Sequence, residues 1–173
     1  GKISIKKALS FGLIISALGI GMALAMDLLY GLLVFFGLFI DVVIYTLWLK
    51  RRTAWSIVFG GISGGIPILA GRALGMGEID WIGIALLLAI LFWIPTHILT
   101  FSIRHFNDYG RGGIPTFASV YGFRFTRITI ALSSFFTCAA MVVSAYGIGL
   151  SWGFLRVLSV LTIGLVILAV KSL

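Results

Sequence analysis

Apolar residues along this chain fall in long unbroken runs, separated by short polar breaks. The runs cover about 9–26, 28–48, 54–76, 81–102, 126–147 and 152–170. Each is close to the ~20 residues a helix needs to cross ~30 Å of hydrocarbon. A segment in lipid must satisfy its own backbone hydrogen bonds, so the runs are expected to be six transmembrane helices. Only a very short turn at Asp27 parts the first two, which predicts a helical hairpin. The first run is too long for a secretory signal and lacks a cleavage site. The expected fold is all-α, a polytopic transmembrane helical bundle of six spans forming a single domain over 1–173. No linker or short-period repeat divides it.

Composition agrees with the pattern. The chain is 61% hydrophobic and 10% charged, where a soluble domain carries about 25% charge. A formal net charge of +8 raises the question of nucleic acid. That partner is excluded, because the cations sit in loops between spans and build no soluble basic face. Cys138 stands alone in an apolar run, so there is no disulfide framework and no cysteine metal site. It is expected to be a small buried hydrophobe.

The loops set an orientation. Lys2, Lys6 and Lys7 precede the first span, and Lys50, Arg51 and Arg52 follow the second. Arg104, Arg111, Arg124 and Arg127 bracket the loop between spans four and five, and Lys171 ends the sixth. With alternating spans all of these fall on one side, which the positive-inside rule makes cytoplasmic. The opposite side holds Asp27, Glu78 and Asp80, with Arg72 and Arg156 nearby. The expected location is therefore an integral, multi-pass protein of the cell membrane with its basic loops in the cytoplasm.

The segment WIPTHILTFSIRHFNDYGRGGIP (93–115) carries most of the candidate chemistry. Trp93, His97, Arg104, Asp108 and Arg111 stand at offsets 0, 4, 11, 15 and 18. On one continuous helix they fall within roughly 60° of each other. Polar groups running into a lipid-buried helix are costly and normally face a cavity or a partner. Together with Lys50, Arg51 and Arg52 they place several cations beside one carboxylate. That set suits Mg²⁺ bound to a phosphate or diphosphate, because Mg²⁺ takes few protein carboxylates and fills its shell from substrate and water. Lys and Arg can then neutralise the charge on a departing diphosphate. Interfacial anchoring remains the competing reading of these cations.

Asp41 lies inside the second span and is expected to share a face with Tyr45, Trp48 and Arg52, at offsets 0, 4, 7 and 11. An intramembrane acid is a candidate functional group, though a paired or neutral structural acid fits as well. His97 either hydrogen-bonds a neighbouring helix or serves in proton transfer or ring binding. His105 lies off the stripe and is read as interfacial. In GGISGGIPILAG (60–71), Gly60-x-x-x-Gly64 and Gly61-x-x-x-Gly65 suit close helix packing. Pro67 could kink that span or open it toward a cavity.

Three stretches carry a resemblance to a known family. YTLWLKRRTAWSIVFGGISGGIP (45–67) is similar to a Tyr-Thr-x-x-Leu-Lys-Arg segment followed by a glycine-rich helix and Pro. Trp93-x-Pro95-x-His97, then Asp108-Tyr109, then Gly113-Ile114-Pro115 stand in the family's register without a gap. The opening GKISIKKAL resembles the segment just after the family's first aspartate-rich motif. On these residues the sequence resembles the protoheme IX farnesyltransferases (heme O synthases) of the UbiA-type membrane prenyltransferases. The resemblance implies a nine-span fold, of which two spans and the first aspartate-rich motif would precede Gly1 and one span would follow Leu173. Most Mg²⁺–diphosphate ligands would then lie outside this chain, and the excerpt alone should be inactive.

The resemblance also implies roles. Asp108 and Arg104 would belong to the second conserved loop, with Asp108 a Mg²⁺ ligand; Lys50 and Arg51 would bind diphosphate oxygens. Trp93 and His97 would line the chamber, and Arg111, Tyr45, Asp41 and Tyr109 would complete the substrate-binding set. The implied reaction is Mg²⁺-assisted transfer of farnesyl from farnesyl diphosphate to a vinyl group of heme B, in the bilayer, with water completing a hydroxyethylfarnesyl side chain. The chain departs from the family pattern at four places. Thr96 stands for a second proline, Thr116 for Met, and Asp41 and Arg72 for aromatic residues. Two readings stay open beside it: the same donor with another acceptor, such as an aromatic quinone precursor or a glyceryl phosphate lipid, or a non-catalytic transporter or scaffold.

Overall fold

The computed structural model describes residues 3–171, so Lys2 lies outside the described residues. Seven α-helices follow one another: α1 (Ile5–Met26), α2 (Leu28–Phe39), α3 (Ser56–Met76), α4 (Trp81–Arg104), α5 (Phe106–Arg111), α6 (Phe117–Ile148) and α7 (Trp152–Lys171). A π-helical segment, Ile40–Leu49, continues α2 without a break. Among the described residues, five stretches are long and apolar enough to cross a membrane: α1, α2 with its π continuation (Leu28–Leu49), α3, α4 and α6. The sixth expected span falls on α7, a 20-residue apolar helix. The expected all-helical bundle is what forms.

Side chains fix the helix ends. Asp27 alone joins α1 to α2, and its carboxylate accepts from Tyr30 N at 2.8 Å, satisfying a backbone donor the helix cannot. A Cβ on Gly31 would stand 2.6 Å from Leu24 Cα, so glycine is what lets the hairpin close. Asp80 caps α4 through Gly83 N at 2.8 Å and holds Arg72 Nε at 2.8 Å across the α3–α4 turn. Gly77 and Gly149 end α3 and α6 in the left-handed conformation, the usual helix stop.

Successive helices pack as neighbours, α1 on α2, α2 on α3, α3 on α4, α4 on α6 and α6 on α7. The glycine pairs act as expected at α3–α4: a Cβ on Gly61 would meet Leu91 O at 3.0 Å, and one on Gly65 would meet Leu87 O at 2.8 Å. Backbones approach this closely only where side chains are absent. Between α4 and α6, Thr96 Oγ1 and Ser134 Oγ lie 3.1 Å apart. Cys138 is buried, as expected. Ala54, Ile57, Leu99, Phe117 and Ile130 form an apolar core. It lies toward the basic end of the bundle, directly beneath the candidate site.

Candidate active site

A cavity of about 550 Å³ opens at that end. The end of the π segment, the start of α3, the end of α4, α5 and the approach to α6 enclose it. Its polar wall carries Tyr45, Lys50, His105, Asp108 and Tyr109, and its floor is the core itself, Ile57, Leu99 and Phe117. One cavity therefore has a charged mouth and an apolar base.

Local backbone chemistry sets the polar wall. Lys50 N donates to Tyr45 O at 2.8 Å, the five-residue bond of a π turn. Lys50 Nζ lies 5.5 Å from the centre of the Tyr45 ring, within range of a cation–π attraction. On the facing side, α4 stops at His105, whose backbone leaves helical geometry (φ −108°, ψ 32°). The N–H groups of Asp108 and Tyr109 both donate back to His105 O, at 3.0 and 3.1 Å. The new helix starts on that carbonyl. Gly113 takes a positive φ of 64° and turns the chain into Ile114–Thr116. Thr116 and Ser119 then cap α6 reciprocally, Ser119 N donating to Thr116 Oγ1 at 3.2 Å and Thr116 N to Ser119 Oγ at 2.9 Å.

Asp108 keeps its carboxylate available. His105 Nδ1 lies 3.4 Å from Oδ2 and Arg111 Nη1 3.9 Å from Oδ1, and the Asp108 side chain is 67% exposed. Such loose, solvated pairs hold a carboxylate weakly. Among the described residues no three His, Cys, Asp or Glu side chains converge on one point. The donor set at Asp108 therefore fits a Mg²⁺ that arrives with phosphate oxygens, taking one protein carboxylate. It does not form a self-sufficient metal cage.

The structure gathers some expected residues and separates others. Tyr45, Lys50, Asp108 and Tyr109 share the cavity. The stripe from Trp93 to Arg111 does not run along one helix face, because the break at His105 divides it. Trp93 and His97 stack on each other, ring centres 5.3 Å apart and nearly parallel, on the exposed face of α4 and outside the cavity. Arg104 is exposed and does not line it either, and Arg111 reaches it only through Asp108. Arg51 and Arg52 line a neighbouring cavity of about 390 Å³.

Of the expected set Asp41, Tyr45, Trp48 and Arg52, Tyr45 lines the main cavity, Arg52 its neighbour and Asp41 another, and Trp48 lines none of the three. Asp41 lines a third cavity of about 520 Å³, nearer the middle of the bundle, where Ser63 Oγ donates to it at 3.3 Å. Pro67 lines the same space, as its helix-opening role suggests. His105, read as interfacial from sequence, belongs to the main cavity. Its signal was the three-residue spacing to Asp108. Ser102 and Thr116 also line that cavity and gave no signal of chemistry.

Residues 1–172 match the UbiA prenyltransferase family. The chain belongs to that family. It is 36% identical over 172 residues to "Protoheme IX farnesyltransferase 1" of Picrophilus torridus, covering 99% of this chain and 58% of the relative. It is 35% identical over 174 residues to the protoheme IX farnesyltransferase of Azorhizobium caulinodans, covering 99% and 56%. Against that of Symbiobacterium thermophilum it is 38% identical over 134 residues, covering 78% and 45%. The chain thus spans about half the length of these curated relatives. No solved structure matches it significantly. Each of the four departures from the family pattern places a polar side chain, and each finds a local polar partner: Thr96 with Ser134, Thr116 with Ser119, Asp41 with Ser63 and Arg72 with Asp80.

Proposed function

We propose that this chain forms part of an enzyme that transfers a farnesyl group from farnesyl diphosphate to protoheme IX, with Mg²⁺, at the cytoplasmic face of a cell membrane. The observation that carries the reading is the two-ended cavity. Lys50 and Asp108 stand at its mouth and the apolar core forms its base, which suits a diphosphate head and a prenyl tail. Homologues named for this reaction support the choice of donor and acceptor. The gathering of basic residues at the cavity end supports a cytoplasmic orientation.

The mechanism follows from the charges. Lys50 draws the diphosphate and offsets the charge that grows as the bond between C1 and oxygen breaks. Asp108 supplies the carboxylate oxygen that would hold the metal, and the metal, when bound, spreads the charge of the leaving group. Phe101, Phe117 and Tyr45 present aromatic rings to the cavity, whose faces stabilise an allylic cation. Ile57, Ile98 and Leu99 keep water from that cation before the acceptor vinyl carbon attacks. Water then adds to the resulting cation on the acceptor and releases a proton, giving the hydroxyethylfarnesyl product.

The test uses the full-length protein in detergent with Mg²⁺, farnesyl diphosphate and heme B. Mass spectrometry should find farnesylated heme that disappears when the metal is chelated. Diphosphate release with a different acceptor would discard heme and keep the chemistry. Failure to release diphosphate with any acceptor would discard the enzyme reading.

A further inference from the structure

Lys50 and Arg51 are consecutive, yet they serve different spaces. Lys50 lines the main cavity and Arg51 lines its neighbour. The two cavities share a wall of Ile114, Pro115 and Thr116, the segment that Gly113 turns back toward the bundle. They lie side by side at one end of the bundle and differ in chemistry. The main cavity pairs a cation with a carboxylate. Arg51, Arg52, Thr116 and Ser119 supply charge and hydroxyl groups to the second, and among the described residues no acid lines it.

That difference favours a metal-free anion in the second cavity. A diphosphate that carries Mg²⁺ needs a protein carboxylate or water on the metal, and the carboxylate is in the main cavity. An anion in the second cavity meets guanidinium groups directly. Arginine forks match the two oxygens of a carboxylate and bind it in bidentate fashion. Two adjacent arginines suit a ligand with two carboxylate arms, and protoheme IX has two propionates.

We propose that the Arg51–Arg52 cavity is a second anion subsite, which takes the carboxylate arms of the acceptor while the Lys50–Asp108 cavity takes the diphosphate. The proposal rests on protoheme IX being the acceptor. It moves Arg51 from a diphosphate ligand to an acceptor ligand. The same anion chemistry would serve a phospholipid headgroup, so the test separates the two sources.

The experiment titrates full-length protein in detergent with heme B and with its dimethyl ester, following absorbance, and compares wild type with an Arg51→Gln/Arg52→Gln double variant. Wild type should bind heme B about tenfold or more tightly than the ester, the scale of a lost charge-assisted pair. The double variant should bind heme B only as tightly as it binds the ester. Its affinity for the ester and its KM for farnesyl diphosphate should match wild type, which also shows that it folds. Equal wild-type affinity for heme B and ester would overturn the proposal. A raised KM for farnesyl diphosphate with unchanged heme affinity would return Arg51 to the donor. A variant that keeps its heme affinity but no longer binds phosphatidylglycerol vesicles would make the cavity a headgroup site. If wild type neither binds heme B nor farnesylates it, the acceptor assignment fails and this subsite with it. Farnesylation with undiminished discrimination in the variant removes the subsite alone.

Discussion

The backbone N–H of Lys50 donates to the carbonyl of Tyr45, five residues earlier, at 2.8 Å. This bond closes a ten-residue π segment at the base of the second span. Lys50 and Tyr45 line the main cavity together, while Asp41 lines another. π turns lie often at functional sites. Deleting Val43, which is 40% exposed, should let the segment rewind as an α-helix and carry Lys50 out of the cavity. Turnover of the full-length protein should fall by about 10²-fold, the cost of losing one group that stabilises developing charge. Membrane insertion, followed by protease protection, should be unchanged. Wild-type turnover would mean that the π register does not matter.

Asp108 is mostly exposed and its two partners are distant, so its carboxylate adds little to folding. Asp108→Asn in the full-length protein should therefore lower turnover by about 10²-fold or more. Its thermal unfolding midpoint should stay within about 2 °C of wild type. Wild-type rates in this variant would remove Asp108 from the site.

Gly65 lets α3 and α4 meet backbone to backbone. Gly65→Val pushes a side chain against Leu87 O, which a Cβ alone would approach to 2.8 Å. The expected loss is about 1–3 kcal/mol, read as a lower unfolding midpoint in detergent. Gly71→Ala is the control, because a Cβ there meets nothing within 4 Å. It should be neutral or slightly stabilising.

The Arg72 guanidinium, hydrogen-bonded to Asp80, holds the Asp80 carboxyl below its ordinary value; desolvation opposes it, and the Gly83 N–H adds to the lowering. A carboxylate whose folded pKa is depressed adds stability above its unfolded value of about 3.9 and loses it as pH falls through the folded value. The unfolding midpoint should thus carry the full contribution of this pair, with no pH dependence from it, between pH 8 and 5, then show an acid decline below about pH 4. Asp80→Ala should start lower at neutral pH and decline less. An identical acid decline in both proteins would contradict the pairing.

The spans were legible because a bilayer forces helices from any long apolar run, and the hairpin was legible from Asp27. Lys50 and Asp108, which line one cavity, stood out in the sequence as charges beside a membrane span, and Tyr45 and Tyr109 on the same wall came from the family resemblance. Two local events hid the rest. Projecting 93–111 as one helix misplaces Trp93, His97 and Arg104, because nothing in the residue pattern announces the stop at His105, where α4 ends and α5 starts on the same carbonyl. Likewise, the π segment over Ile40–Leu49 leaves no trace in apolar composition, and the residue pattern does not show that Tyr45 and Asp41 line different cavities. Neighbours in sequence such as Lys50 and Arg51 can separate into different cavities, which charge counting cannot see.

The most direct measurement is photo-crosslinking of the full-length protein, with Mg²⁺, by a farnesyl diphosphate analogue carrying a benzophenone on its tail. Mapped by mass spectrometry, the adducts should fall on the cavity wall at Ile57, Ile98, Phe101 or Phe117, and unlabelled farnesyl diphosphate should suppress them. Competed adducts on the Asp41 cavity or the Trp93–His97 face, with none on that wall, would place the donor elsewhere and contradict the assignment of the Lys50–Asp108 cavity.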